Sequence, residues 1–321
     1  MVRVLRRTFL KAGLVAFPFV FGRESAQAEQ HRLTLGTGPV GATLLIYGSA
    51  LLDAMKAVDA GLNLREHPTR GVSQNVRLLE AGEIDLGLVT GEFAHELFAG
   101  VGRPVTELRV IAAMYPTPGM FAVRTDTRFR EIDDLLGRPV VWNGRTSGLA
   151  LQARYILDGL GLDLDKDFEA IYTEKLSEGP TLVLDGAASA LWGGGLRWPG
   201  FVTLTTSPQG ARFVVPTEEQ TEKILAKHTF LRRVTVPAGL YPGQPQPIES
   251  VGSWNFILAR ADLPEPVGYR LAVDLNRIER GSFSPRQLGA STLRNTVAVA
   301  PSLHALHPGV VRYCREQGLM K

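Results

Sequence analysis

Eleven residues near the start of the chain, Leu33-Thr34-Leu35-Gly36-Thr37-Gly38-Pro39-Val40-Gly41-Ala42-Thr43, constrain the fold more than any other stretch. They read as an apolar strand, a glycine-rich turn and the start of an amphipathic helix whose face recurs at Leu44, Gly48, Leu51, Met55 and Val58. Such a turn brings bare backbone N–H groups and a helix N-terminus to one point, where the partial positive charge of the helix end favours an anion. Gly36-x-Gly38-x-x-Gly41 also matches the dinucleotide fingerprint, with Glu66 near the end of the next expected strand as its ribose-binding acid. Anion cradle and dinucleotide clamp both stay open on these residues alone.

The rhythm then repeats. Residues 62–67 read as a strand stopped by Pro68, and residues 69–75 as a polar glycine turn into a helix with Val72, Val76 and Leu79 on one side. Ser73 there is either a helix cap or a ligand contact. Residues 84–90 give a buried strand ending at Thr90. Repeated strand, polar turn and helix specify an α/β sheet with helices on both faces, and in such sheets ligands sit beyond the carboxyl ends of the strands.

Met114-Tyr115-Pro116-Thr117-Pro118-Gly119 is rigid and helix-breaking, and marks a crossing between two lobes, with a strand resuming at Met120. In the second lobe Asn143-Gly144-Arg145-Thr146-Ser147-Gly148 leads into a helix over residues 149–160 and mirrors the first turn. Two such turns facing each other can close on one small ligand. Ala190-Leu191-Trp192-Gly193 ends a further strand, with Trp192 stacking on a ligand or on the core. Residues 234–245 have the composition of a return linker, residues 254–259 of a strand rejoining the first lobe, and the remainder is mainly helical.

Length and charge set outer limits. A chain of 321 residues can bury one large or two medium cores. Its basic excess is local: residues 1–28 hold Arg3, Arg6, Arg7, Lys11 and Arg23 against Glu24, which leaves 30 basic and 31 acidic residues in the rest. The remaining chain therefore gives no support for binding nucleic acid or a membrane surface. Arg6-Arg7-Thr8-Phe9-Leu10-Lys11 resembles the twin-arginine export signal, ahead of an uncharged run over residues 12–21 that is too short to span a bilayer. Ala26-Gln27-Ala28 offers a signal-peptidase site and a mature start at Glu29. A membrane anchor or a Sec-type leader is the alternative. Export of a folded protein keeps open an oxidoreductase loaded with a dinucleotide before export.

Catalytic and metal patterns are weak. The lone Cys314 reads as a packing residue, and His304-x-x-His307 as terminal packing, since Pro308 follows directly and no third ligand is near in sequence. Residues 163–167 are acid-rich but lack the glycine and terminal glutamate of a calcium hand. Ser147 lacks the Gly-x-Ser-x-Gly elbow, and no carboxylate pair stands out in the polar turns. We therefore expect neither enzyme activity, cofactor nor metal.

Taken in order, several stretches resemble the TAXI family of solute-binding proteins that serve tripartite ATP-independent periplasmic (TRAP) transporters. They are the Gly-Thr-Gly turn, Ser73-Gln74-Asn75, Ala81-Gly82-Glu83-Ile84-Asp85-Leu86, Ser147-Gly148, Pro237-Ala238-Gly239-Leu240-Tyr241-Pro242-Gly243-Gln244 and Leu306-His307-Pro308-Gly309-Val310-Val311-Arg312-Tyr313-Cys314-Arg315-Glu316. The resemblance implies a two-lobed periplasmic binding protein fold of the type II-like kind, with a ligand cleft between lobes and two crossover strands. It also implies delivery of the solute to a membrane permease driven by an ion gradient, and we expect the protein to be a monomer. Residues 29–118 and 246–321 would form lobe I and residues 119–245 lobe II. The candidate ligand-binding residues are Gly38, Thr43, Leu44, Ser73, Asn75, Thr90, Arg145, Thr146, Ser147, Trp192 and Gly193. Where the family continues its first turn into Gly-Gly-Thr-Tyr-Tyr, this chain has Gly41-Ala42-Thr43-Leu44-Leu45, and Arg145 precedes its second turn's Thr146-Ser147-Gly148. An arginine fork suits bidentate carboxylate recognition, so we expect a carboxylate ligand with a more apolar tail than glutamate.

Overall fold

The computed structural model describes residues 32–281 and 288–321, and the leader expected over residues 1–28 lies outside them. The chain first runs through β1 (Arg32–Gly36), α1 (Thr43–Val58), β2 (Asn63–His67), α2 (Val72–Glu80), β3 (Leu86–Val89) and α3 (Gly91–Ala99). A long strand, β4 (Arg109–Arg124), leads to β5 (Pro139–Val141), α4 (Gly148–Gly159), β6 (Glu169–Ile171), α5 (Glu178–Leu184) and β7 (Ala190–Gly194). Next come α6 (Pro199–Thr205), β8 (Ala211–Val214), α7 (Glu218–Lys227) and β9 (Arg232–Val236). A second long strand, β10 (Ile248–Ala259), precedes α8 (Glu265–Arg280), α9 (Leu293–Val299) and α10 (Pro308–Glu316).

These elements form the expected mixed α/β fold. One sheet has the order β2-β1-β3-β10-β4-β7-β5-β6, with β8 on β4 and β9 on β10. At its two ends the strands are parallel, β2-β1-β3 and β7-β5-β6, with helices connecting successive strands. In the middle β4 and β10 lie antiparallel and are shared by both ends. Phe256 to Ala259 of β10 pair with β3, whereas its Ile248 to Gly252 pair with β9. Gly119 to Ala122 of β4 pair with β7.

The break expected at Pro116 and Pro118 is absent: β4 runs through both prolines, opposite Trp254 and Gly252. A register shift between Trp254 and Phe256 loosens the ladder there, which is where a strand tolerates residues without an N–H. The expected return linker also begins late, because residues 234–236 belong to β9.

Buried apolar side chains gather in three clusters. The largest joins residues 33–114 to residues 256–314, and two smaller ones, around Phe121, Trp142 and Trp192 and around Trp198, Phe201 and Tyr241, use residues 120–251. The C-terminal residues are tied to the first cluster through Tyr47, whose hydroxyl donates to Ser291 Oγ at 2.8 Å, while Ser291 donates to the Met114 carbonyl at 2.8 Å. His307 is buried, accepts from the Gly309 N–H at Nδ1 and donates from Nε2 to the Leu263 carbonyl. Burial holds its pKa down, and both ring nitrogens are used inside the fold. Cys314 is buried, which pushes its thiol up to about 11. Among the described residues, no three His, Cys, Asp or Glu side chains stand close enough to hold a metal ion.

Candidate functional site

A cleft of about 600 Å³ opens at the carboxyl ends of the parallel strands, where the polar turns converge. One wall is the start of α1 (Ala42, Thr43, Leu44) and of α2 (residues 70–74), with Pro39 at its edge. Facing it stand Gly144, Thr146, Ser147, Gly148 and Leu149 at the start of α4, with Glu174, Leu176, Gly195 and Trp198. Thr90, Tyr115, Thr117 and Asn255, from α3's N-cap and the two long strands, line its base.

The N-termini of α1, α2 and α4 therefore meet in one space, with that of α3 at its base. The first N–H groups of a helix have no partner within it. Neither Ala42 before α1 nor Gly71 before α2 supplies a side-chain cap, and Gly71 has a φ of 123°, which an L side chain rarely adopts. The N-terminus of α4 is capped, with Ser147 Oγ accepting from the Ala150 N–H at 3.2 Å. The bare amide donors and aligned helix dipoles favour a negative group between them. The rest of the surface is largely apolar, through Pro39, Leu44, Val72, Leu149, Leu176 and Trp198.

The structure brings six of the sequence candidates to the cleft: Thr43, Leu44, Ser73, Thr90, Thr146 and Ser147. Ser73 is not the cap of α2; its hydroxyl reaches across the mouth to the Thr146 carbonyl at 3.4 Å.

Five candidates stand elsewhere. Arg145 turns away from the cleft: its guanidinium lies 3.9 Å over the Tyr172 ring and pairs with Asp165 at 3.3 Å, with the side chain 63% exposed. Asn75 is buried and spends its amide on structure, donating to the carbonyls of Gly36, Thr37 and Leu88 and accepting from Thr69 Oγ1. Trp192 is a core residue whose Nε1 donates to the Leu149 carbonyl at 2.9 Å. Gly193 lies beneath Trp198, where a Cβ would come within 2.3 Å of the indole ring. Gly38 is buried behind Ala42 and Leu44 and does not itself line the cleft.

The residues that sequence reasoning missed are Arg70, Trp198 and Asn255. Arg70 is exposed beside the uncapped start of α2, with its backbone N–H held by Gln74 Oε1 at 2.8 Å. A basic residue next to a glycine turn was the available signal, and Arg145 carried the same signal. Asn255 donates to the Tyr115 carbonyl and Thr117 Oγ1, leaving its buried Oδ1 without a donor. Glu66, the would-be ribose acid, accepts the Thr37 hydroxyl at 2.8 Å.

Comparison with known proteins adds to this geometry. The family model described as NMT1-like family matches residues 35–318. Among solved structures, the chain is similar to a protein from Bordetella bronchiseptica RB50, with a TM-score of 0.50 and 14% identity over 88% of this chain and 81% of that one. It is also similar to PhnD1 from Prochlorococcus marinus (MIT 9301), solved in complex with methylphosphonate, with a TM-score of 0.50 and 12% identity over 90% of this chain and 98% of that one. At such identities the likeness speaks to the fold.

Proposed function

The chain belongs to the NMT1-like family, and from that premise we propose that it is a periplasmic solute-binding protein whose cleft captures a small anion bearing an apolar portion. The observation that carries this reading is the convergence of the α1, α2 and α4 N-termini on one largely apolar cleft. Arg70, beside the start of α2, and Arg77, further along α2, are the cations that would add charge to the cradle, and Glu174 on the facing wall would repel a second anionic group. A monoanion with its tail toward Leu149, Leu176 and Trp198 satisfies both walls. Thr43, Leu44, Ser73, Thr90, Thr146 and Ser147 are its proposed contacts. The wall offers amides, hydroxyls, two guanidinium groups and one carboxylate, a set suited to holding a solute rather than transforming it. Methylphosphonate, held by PhnD1, belongs to the same chemical class of small anion.

The finer reading is a TAXI-type protein of a TRAP transporter, exported by the twin-arginine route, working as a monomer and delivering a carboxylate to its permease. The landmarks and the paired arginines of the leader support it. In this reading residues 29–118 and 246–321 form one lobe and residues 119–245 the other, closing about β4 and β10.

A thermal-shift screen of residues 29–321 against short-chain carboxylates, alkylphosphonates, alkylsulfonates and amino acids tests the proposal. A ligand at ~100 times its Kd adds ~2.7 kcal/mol to folding stability, which the midpoint reports. Stabilisation by an apolar-tailed anion is the expected result. A panel in which no anion acts, or in which uncharged analogues act equally, would overturn it.

A further inference from the structure

A second cavity, of about 580 Å³, shares β10 with the cleft. Trp254 and Phe256 line it, whereas Asn255 between them lines the cleft, so the two cavities take alternate side chains of one strand. His95 and Phe98 of α3 form a second wall, and Thr229, Phe230 and Arg232 at the entry to β9 a third. Residues 299–302, 304 and 305, between α9 and α10, close it. Capture of a solute in the cleft uses none of these side chains.

The walls of this cavity are aromatic. The His95 and Phe230 rings stack with centroids 4.0 Å apart and 7° between their planes, which joins α3 to the entry of β9. Phe98, Phe230 and Trp254 are half-buried, and Val105, 61% exposed, stands at the rim. Such walls favour a flat aromatic guest, through offset stacking and edge contacts. The charge is uneven as well. Arg109 is spent on Glu107, donating to its carboxylate at 3.3 Å and to its carbonyl at 2.7 Å. Arg232 has no carboxylate partner among the described residues. Its Nη1 donates to the Thr229 and Leu231 carbonyls, which folds the guanidinium back beside Phe230. Nε and Nη2 remain as donors, and they lie along one edge of the planar fork, an edge that grips a carboxylate bidentately.

We propose that this cavity is a second ligand site, for a small aromatic monoanion such as an aryl carboxylate, with its ring against Phe230 and Trp254 and its acid group on the free edge of Arg232. The two sites select by different means. The cleft offers bare helix-end amides in a mostly aliphatic surround, and the second site a guanidinium among aromatic rings. No lining residue is common to both, so the second site does not depend on the solute-binding reading of the first.

The four tryptophans separate the sites: Trp142 and Trp192 are core residues, Trp198 lines the cleft and Trp254 the second cavity. The experiment titrates the protein with 2-naphthoate and follows the indole N–H signals by NMR, with Trp254→Phe assigning the Trp254 signal. It is repeated with the neutral 2-naphthamide, and on Arg232→Ala and Arg70→Ala. The expected result is a saturable shift of the Trp254 signal, weakened roughly fivefold or more by Arg232→Ala and by the neutral amide, and changed less than about twofold by Arg70→Ala. Entry of 2-naphthoate into the cleft is read separately, at Trp198. A Trp254 signal that does not move, or that moves only together with Trp198 at an affinity Arg70→Ala weakens, would overturn the site. A Trp254 shift that 2-naphthamide reproduces at equal affinity, or that Arg232→Ala leaves unchanged, would overturn the anionic guest. Should Arg232→Ala fail to fold, the difference between naphthoate and naphthamide in the wild type decides.

Discussion

A Cβ added to Gly148 would stand 2.7 Å from both Oγ1 and Cγ2 of Thr90. The first residue of α4 and the N-cap of α3 thus meet at the base of the cleft with no room for a methyl group. Overpacking of this kind costs about 1–3 kcal/mol. If the cleft closes by bringing these helices together, Gly148→Ala taxes the closed state specifically. Its expected effect is a loss of roughly tenfold or more in affinity for the anion found in the screen, with a smaller change in the unliganded melting midpoint. Titration calorimetry beside a melt of the free protein separates the two.

Asn75 makes a different forecast. Its amide ties the end of β1, the glycine turn and β3 together through Gly36, Thr37 and Leu88, all within 3.2 Å. Asn75→Ala removes this donor from the Gly36 and Leu88 carbonyls and leaves the Thr37 carbonyl only the long 3.3 Å bond from Thr69, at about 1–3 kcal/mol for each group that finds no water. A loss of roughly 3–5 kcal/mol in urea denaturation is expected, with an unchanged slope. A change under 1 kcal/mol would mean the turn holds itself.

Asp274 on α8 gives the clearest pH signature. Burial, and then the nearby Asp59, push it up to about 6, while the hydrogen bond from Arg270 holds Asp59 at about 2. An acid raised in the folded state stabilises fully below its unfolded pKa of about 3.9 and loses that stabilisation as pH rises through its folded value. Asp274→Asn stays neutral and its amide can donate to Asp59. Its stability relative to wild type should climb between pH 4 and pH 7, by on the order of 1–2 kcal/mol after solvent screening around Arg277. Denaturation at several pH values checks it; a flat difference would place the Asp274 titration elsewhere.

The strand–turn–helix rhythm was legible because glycine and apolar spacing are local, and so was the place where the turns converge. Which side chains face the cleft was not. Arg70 and Arg145 both stand beside glycine turns, and what separates them is Tyr172 and Asp165, which lie 20 or more residues beyond Arg145 and draw its guanidinium away. Asn75 looked like a ligand contact because its carbonyl partners come from two other segments, residues 36–37 and residue 88. Trp192 and Trp198 are six residues apart, yet one fills the core and the other also lines the cleft, since β7 is covered on both faces. Pro116 and Pro118 read as a break because the antiparallel partner that accommodates them, β10, arrives more than 130 residues later.

The most direct measurement compares the affinity of the best apolar-tailed anion for the wild type, Arg70→Ala and Arg145→Ala. The geometry of the cleft predicts that Arg70→Ala weakens binding by roughly tenfold or more, through loss of a charge-assisted contact, while Arg145→Ala leaves it within about twofold because that guanidinium is spent on Tyr172 and Asp165. Loss of binding in Arg145→Ala with full binding in Arg70→Ala would contradict it.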